Sequence, residues 1–144
     1  MAGRLGASAL AIDTEELPLA MLREAFEAQQ AAGRVPAAAA LEARVGDARE
    51  APLQDADVIV VSDLLYNAEL ARTVGERIGQ AARRGQHVVV TCGGRSGRAA
   101  FVEAFSEAVG SPGFFEDTPV PAWAPERRDL FDGGATSAVG VLRY

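Results

Sequence analysis

The feature that most constrains the fold is a pair of short apolar runs, residues 57–62 and 87–91, joined by a single amphipathic segment. Val58, Ile59, Val60 and Val61 are apolar at every position rather than at alternate ones. That is the pattern of a strand covered on both faces of its sheet. Between the runs, Leu70, Val74 and Ile78 recur at i, i+4 and i+8, so residues 68–84 read as a helix with one apolar face, stopped by Gly85. Strand, helix, strand in this order predicts two parallel strands with a right-handed crossover.

The rest of the chain keeps this rhythm and then breaks it. Residues 8–12 form a short apolar run ending at Asp13, a strand. Pro18 suits the first turn of the next helix, where Leu19, Leu22, Phe26 and Gln30 share a face and Gly33 is the stop. The alanine run 37–40 is a loop leading into a second strand, 41–45, which ends near Asp47. Phe101, Val102, Phe105 and Val109 mark a third helix, closed by Gly110. Residues 114–120 and 137–143 then read as strands separated by a loop rich in proline, glycine and charge, with no helix between them, and so as an antiparallel pair. The order β-α-β-β-α-β-α-β-β in one domain, 1–144, predicts an α/β fold. Its sheet is Rossmann-like and mostly parallel, with helices on both faces and a C-terminal antiparallel hairpin. Ligands in such sheets bind beyond the carboxyl ends of the strands, which directs attention to Asp13, Asp47, Asp63 and Thr91.

Composition narrows the function classes. The net charge is −6 and all 14 basic residues are arginines, scattered apart from the pairs Arg83–Arg84 and Arg127–Arg128. Nucleic acid as main partner needs a basic surface, so none is expected. The absence of lysine excludes chemistry that needs a lysine amine. A single cysteine, Cys92, permits no intrachain disulfide and is compatible with a reducing compartment. No apolar run is long enough for a membrane span and no secretory signal pattern opens the chain, so the expectation is an intracellular, cytoplasmic protein that touches no membrane.

The stretch Asp57-Val-Ile-Val-Val-Ser-Asp-Leu-Leu-Tyr66 resembles the fourth strand of seven-β-strand S-adenosylmethionine-dependent methyltransferases. Asp63-Leu64-Leu65-Tyr66 is similar to the Asp-x-x-Tyr motif of their protein-lysine methyltransferase-like branch. The similarity continues through the strand 87–91, through Gly94-Arg-Ser-Gly-Arg98 opening the next helix, and through the final hairpin with Val139-Gly-Val-Leu142. Upstream, Ala11-Ile-Asp13 resembles the end of the family's second strand. The resemblance implies S-adenosyl-L-methionine as cofactor, methylation of nitrogen on a protein lysine as activity, and a protein as substrate. One departure is plain. The family's first strand ends in a glycine loop, and the gap from Gly6 to Asp13 is seven residues where a loop and helix need roughly 20. Residues 1–7 therefore read as the tail of that helix. The expectation is a chain lacking the family's N-terminal segment, with the first, central strand missing and its activity in doubt.

What the resemblance implies for individual residues has a physical content. A carboxylate at Asp13 can accept from both ribose hydroxyls of the cofactor; the alternative is a helix cap. Asp47 resembles the acid that meets the adenine amino group; the alternative is a solvated loop acid. Ser62, next to the motif, joins the cofactor-binding set. Asp63 and Tyr66 would lie beside the methyl group, Asp63 orienting the acceptor amine and Tyr66 walling its channel. Their alternatives are a cap for the helix from Ala68 and a half-buried aromatic. No metal is expected, since His87 is the only histidine; it reads as a satisfied structural residue, and Cys92 as a small core residue. Gly93-Gly94-x-x-Gly97 offers a weaker phosphate-binding signal. Trp123, in Pro121-Ala-Trp-Ala-Pro125, reads as a loop anchor.

Two other readings come from different classes. Asp13, Asp63 and Thr91 also resemble the magnesium-binding acid, phosphoacceptor and switch hydroxyl of a receiver domain. Against it stand the lack of any lysine, the Asp13-Thr14 pair where that family has two acids, and the strand ending. A non-catalytic, methyltransferase-like partner subunit is the third.

Overall fold

The computed structural model of the chain describes residues 6–51, 53, 55–119 and 138–144. The element order is β1 (Ala9–Asp13), α1 (Glu16–Ala31), β2 (Leu41–Val45), β3 (Val58–Ser62), α2 (Ala68–Arg83), β4 (His87–Cys92), α3 (Arg98–Val109), β5 (Phe114–Pro119) and β6 (Ala138–Arg143). Each element falls within three residues of the stretch that its periodicity marked. Gly6 lies in a turn and Ala7 is not helical; residues 1–5, the rest of the expected helix tail, and Trp123 lie outside the described residues.

The strands form two sheets, one in each of two compact units, Met1–Pro52 and Leu53–Tyr144. In the first unit β1 and β2 pair in parallel, with Asp13 opposite Val45. Helix α1 packs against them through a thin core of Leu19, with Val35 and Ala39 buried in the loop that follows the helix. Two polar side chains of α1 reach over the gap: Arg23 donates to the Ala43 carbonyl at 2.7 Å and Gln30 to the Ala39 carbonyl at 2.9 Å. They satisfy carbonyls that would otherwise lose water under the helix.

The second unit holds a four-stranded sheet in the order β3-β4-β6-β5. β3 and β4 are parallel neighbours, in register from Val58 opposite His87 to Ser62 opposite Thr91. β6 lies antiparallel beside β4 and β5 closes the hairpin. The expected adjacency and the expected hairpin are both present. The expectation of one mostly parallel sheet is corrected: there are two hydrogen-bonded sheets, and the larger has one parallel pair among its three pairings.

The two-sided burial of β3 is corrected as well. Val61 is buried, but Val58 and Val60 are 51% and 66% exposed, and Val89 beside them is also exposed. β3 is an edge strand of its sheet, and only the face carrying Val61, Val88 and Val90 is covered. Helix α2 packs on β4, and α3 packs on α2 and sets Phe101 against Phe115 of β5. Their core is aromatic: Phe101 stacks on Phe105 with centroids 5.7 Å apart, and Tyr144 meets Phe105 edge-on at 5.1 Å. The two helices approach closely because α2 carries glycine at the contact. A Cβ at Gly75 would stand 2.7 Å from the Phe101 carbonyl oxygen.

Candidate functional site

The carboxyl ends of β3 and β4 lie side by side, so the loops that leave them are neighbours. The Asp63 amide still donates to the Thr91 carbonyl at 3.0 Å, extending the ladder by one bond. There the chain turns sharply: Asp63 has φ of +55°, the one described non-glycine residue with positive φ. Aspartate tolerates this left-handed conformation better than most side chains. The following loop is tied to the loop after β4. The Gly97 amide donates to the Leu65 carbonyl at 3.1 Å and the Ser96 hydroxyl to the Tyr66 carbonyl at 3.0 Å. Gly97 allows this contact, since a Cβ there would come within 2.8 Å of Leu65 O and 2.7 Å of Asn67 O.

Within this frame three side chains converge. Arg95 Nε donates to Asp63 Oδ1 at 2.9 Å and Nη2 to Oδ2 at 2.6 Å, a two-pronged ion pair. The same guanidinium lies over the Tyr66 ring, 4.8 Å from its centroid. The Arg95 hydrogen bonds hold the Asp63 carboxyl below its ordinary value, with the Arg95 charge and the Gly93 amide adding to the effect against partial burial. The cluster stays open to water: the Asp63 and Arg95 side chains are 44% and 42% exposed, and Tyr66 is exposed. Beside it the Thr91 hydroxyl donates to the Ser62 hydroxyl at 3.1 Å.

The structure thus brings Ser62, Asp63 and Tyr66 to one strand edge and adds Arg95. Sequence reading placed Arg95 only at the opening of a helix. The available signal was positional: it is the arginine in the loop that follows the strand next to the Asp63 strand. One alternative falls: Asp63 does not cap α2; Asn67 does, its Oδ1 accepting from the Leu70 amide at 2.9 Å. The other stands beside the functional reading, since Tyr66 is 54% exposed with one ring face under Arg95, a half-buried aromatic. His87, read as a satisfied structural histidine, is exposed at the start of β4, whereas Cys92 is buried and free as expected. In the glycine loop 93–97 the Gly93 amide is turned to Asp63 and the Gly97 amide to the Leu65 carbonyl, so these two are already engaged within the chain.

Asp13 and Asp47 belong to the first unit, at the ends of β1 and β2, where the Gly46 amide donates to the Asp13 carbonyl at 2.9 Å. Asp13 Oδ1 accepts from the Glu15 amide at 2.9 Å, folding the turn into α1; the cap position itself is Glu15. Among the described residues Asp13 Oδ2 accepts no hydrogen bond. Asp47 is committed to its own loop. Arg49 donates to it from its amide and from Nε and Nη2, and lowers its pKa to about 2. Asp47 lines a hollow of about 280 Å³ whose walls include Ile12, Val45 and Ala51. The hollow is open to solvent, and Arg44, Asp47 and Glu50 share its lining with those apolar side chains.

Among the described residues no group of three or more His, Cys, Asp or Glu side chains could hold a metal ion. No described helix is long and apolar enough to cross a membrane. No protein-family model matches the chain, and no relative is found among curated proteins.

Proposed function

We propose that the chain carries the acceptor side and part of the cofactor side of an S-adenosylmethionine-dependent methyltransferase with a Rossmann-like core, acting on the amine of a protein lysine. The observation that carries the reading is the convergence of Asp63 and Tyr66 on Arg95 at the carboxyl ends of two adjacent parallel strands, flanked by an antiparallel hairpin. Ligands of such sheets bind at that edge. The antiparallel β6, standing where a receiver domain has a helix, favours this reading over phosphotransfer, as does the lack of lysine.

Within the first unit, two residues suit the nucleoside part of the cofactor. Asp13 keeps one carboxylate oxygen for a ribose hydroxyl, and the open hollow beside Asp47, lined by Ile12, Val45 and Ala51 together with Arg44 and Glu50, would take one edge of a flat ring, provided that the Arg49 contacts yield. Ser62 stands at the carboxyl end of β3 with its hydroxyl engaged by Thr91. The cofactor supplies a methyl group on a positively charged sulfur. The chain's own task is to align the acceptor and exclude water. Asp63 serves there as a charge anchor. A carboxylate held below its ordinary pKa is a poor base for an ammonium of pKa about 10.4. It fixes the amine's direction, and the Tyr66 face lines its path.

Calorimetric titration with S-adenosylhomocysteine tests the reading. These 144 residues contain no strand with a Gly-x-Gly turn ahead of Asp13, so weak binding is expected. Fusing such a strand, turn and helix upstream should tighten it by orders of magnitude, at about 1 kcal/mol per hydrogen bond regained. In the fused chain Asp13→Ala should weaken binding about tenfold, the equivalent of one hydrogen bond or slightly more. No binding by either chain overturns the proposal.

A second reading, a non-catalytic interaction subunit, is favoured by one observation: the exposed apolar positions Val58, Val60 and Val89 on one face of the larger sheet. Tyr66→Phe separates the two, since it should change turnover of an enzyme and leave partner capture alone.

A further inference from the structure

We propose that Arg95 is an internal stand-in for the acceptor cation, so that an amine substrate must displace its guanidinium to reach Asp63. The inference deepens the reading of Asp63 and Tyr66 as the acceptor side and rests on it. A carboxylate and an aromatic face aimed at one point make a site for a positively charged group. Here that point is occupied by the chain itself: Nε and Nη2 of Arg95 hold both Asp63 oxygens at 2.9 and 2.6 Å, and its guanidinium carbon sits 4.8 Å from the Tyr66 centroid. An ammonium brought to Asp63 would meet both engaged oxygens and a like charge. The two cannot share the place.

The place is held firmly by the backbone and weakly by the occupant. Asp63 is set by its left-handed turn and its bond to Thr91, and Tyr66 by the Ser96 hydroxyl and the Gly97–Leu65 bond. Arg95 reaches in on a long side chain that is 42% exposed. Exposed ion pairs and exposed cation–ring contacts are each worth little. Arg95 therefore shields Asp63 and Tyr66 in the free protein and gives way to a cation delivered with further contacts of its own. Neutral side chains gain nothing by displacing it, because they would leave two charges unpaired. Arg95 is accordingly a positioning and specificity residue.

The test uses the full 144-residue chain without cofactor, so it is independent of methyl transfer. The probe is Nα-acetyl-lysine amide, with the uncharged Nα-acetyl-norleucine amide as control. Binding is read from the Tyr66 ring and Asp63 carboxyl resonances. Arg95→Ala and Arg95→Gln should each bind the lysine probe about tenfold more tightly than the wild type. Adding Asp63→Asn to either should abolish the gain, and the norleucine probe should shift nothing in any variant. Equal affinity of wild type and both Arg95 variants for the lysine probe, or a gain shared by the norleucine probe, overturns the proposal. A chain that binds no S-adenosylhomocysteine yet shows the lysine-specific gain would retain the stand-in role and lose the transfer reading; the reverse pattern would do the opposite.

Discussion

Asp63 and Asp47 are both held below the usual carboxylate range by arginine, but the two pairs are built differently. Arg49 is two residues from Asp47 and folds back on the same loop, whereas Arg95 is 32 residues from Asp63 and meets it only because β3 and β4 are neighbours. The first pair follows from local chain geometry, and the second reports on the fold. A carboxylate whose folded pKa is depressed contributes stability above its unfolded pKa of about 3.9, and loses it as pH falls through the folded value. Carbon-detected titration should show the Asp63 midpoint rising toward 3.8 in Arg95→Ala. The acid limb of the stability curve below about pH 4 should then flatten by that group's share. Arg49→Ala should raise the Asp47 midpoint from about 2 toward 3.8. An unchanged midpoint in either variant would mean that the arginine is not the cause.

At the scale of elements, the close approach of α2 and α3 helps to hold the second unit together. Gly75→Ala gains helix propensity of about 1 kcal/mol, yet its Cβ would press on the Phe101 carbonyl, a backbone atom that cannot swing aside. Overpacking of this kind costs about 1–3 kcal/mol, so urea melts should show a net loss. A stabilised Gly75→Ala would mean that the helices sit further apart. Asn67 begins α2 by accepting from Leu70, and Asn67→Ala should cost about 1 kcal/mol. Asp63→Ala should not show such a capping loss, because the cap lies elsewhere. Comparing the two variants in the same denaturant series separates a site residue from a helix-start residue.

At the scale of the whole molecule, acidic charge and an uncovered apolar sheet face oppose each other. The chain carries net charge −6 at neutral pH, and its isoelectric point is near 4.8. Val58, Val60, Val89 and Phe114 stand exposed on the second unit. Repulsion between copies fades as pH approaches the isoelectric point, while apolar attraction does not. Sedimentation should therefore show association rising between pH 7 and pH 5, and Val60→Thr should reduce it; association equal at both values would make the exposed valines irrelevant. The sequence alone determined the elements, their order, the parallel pairing of β3 with β4 and the closing hairpin. Hydrophobic period, glycine stops and connection length act locally, and the chain expresses them before any core forms. Only the tertiary structure decided what surrounds those elements. It made β3 an edge strand with one exposed face, although its four apolar residues read as buried on both sides. It gave the start of α2 to Asn67, left Asp63 free of that task, and joined Asp63 to Arg95 across 32 residues. Those outcomes depend on which strand edges pair and how closely two helices approach, and neither is encoded within reach of a single loop.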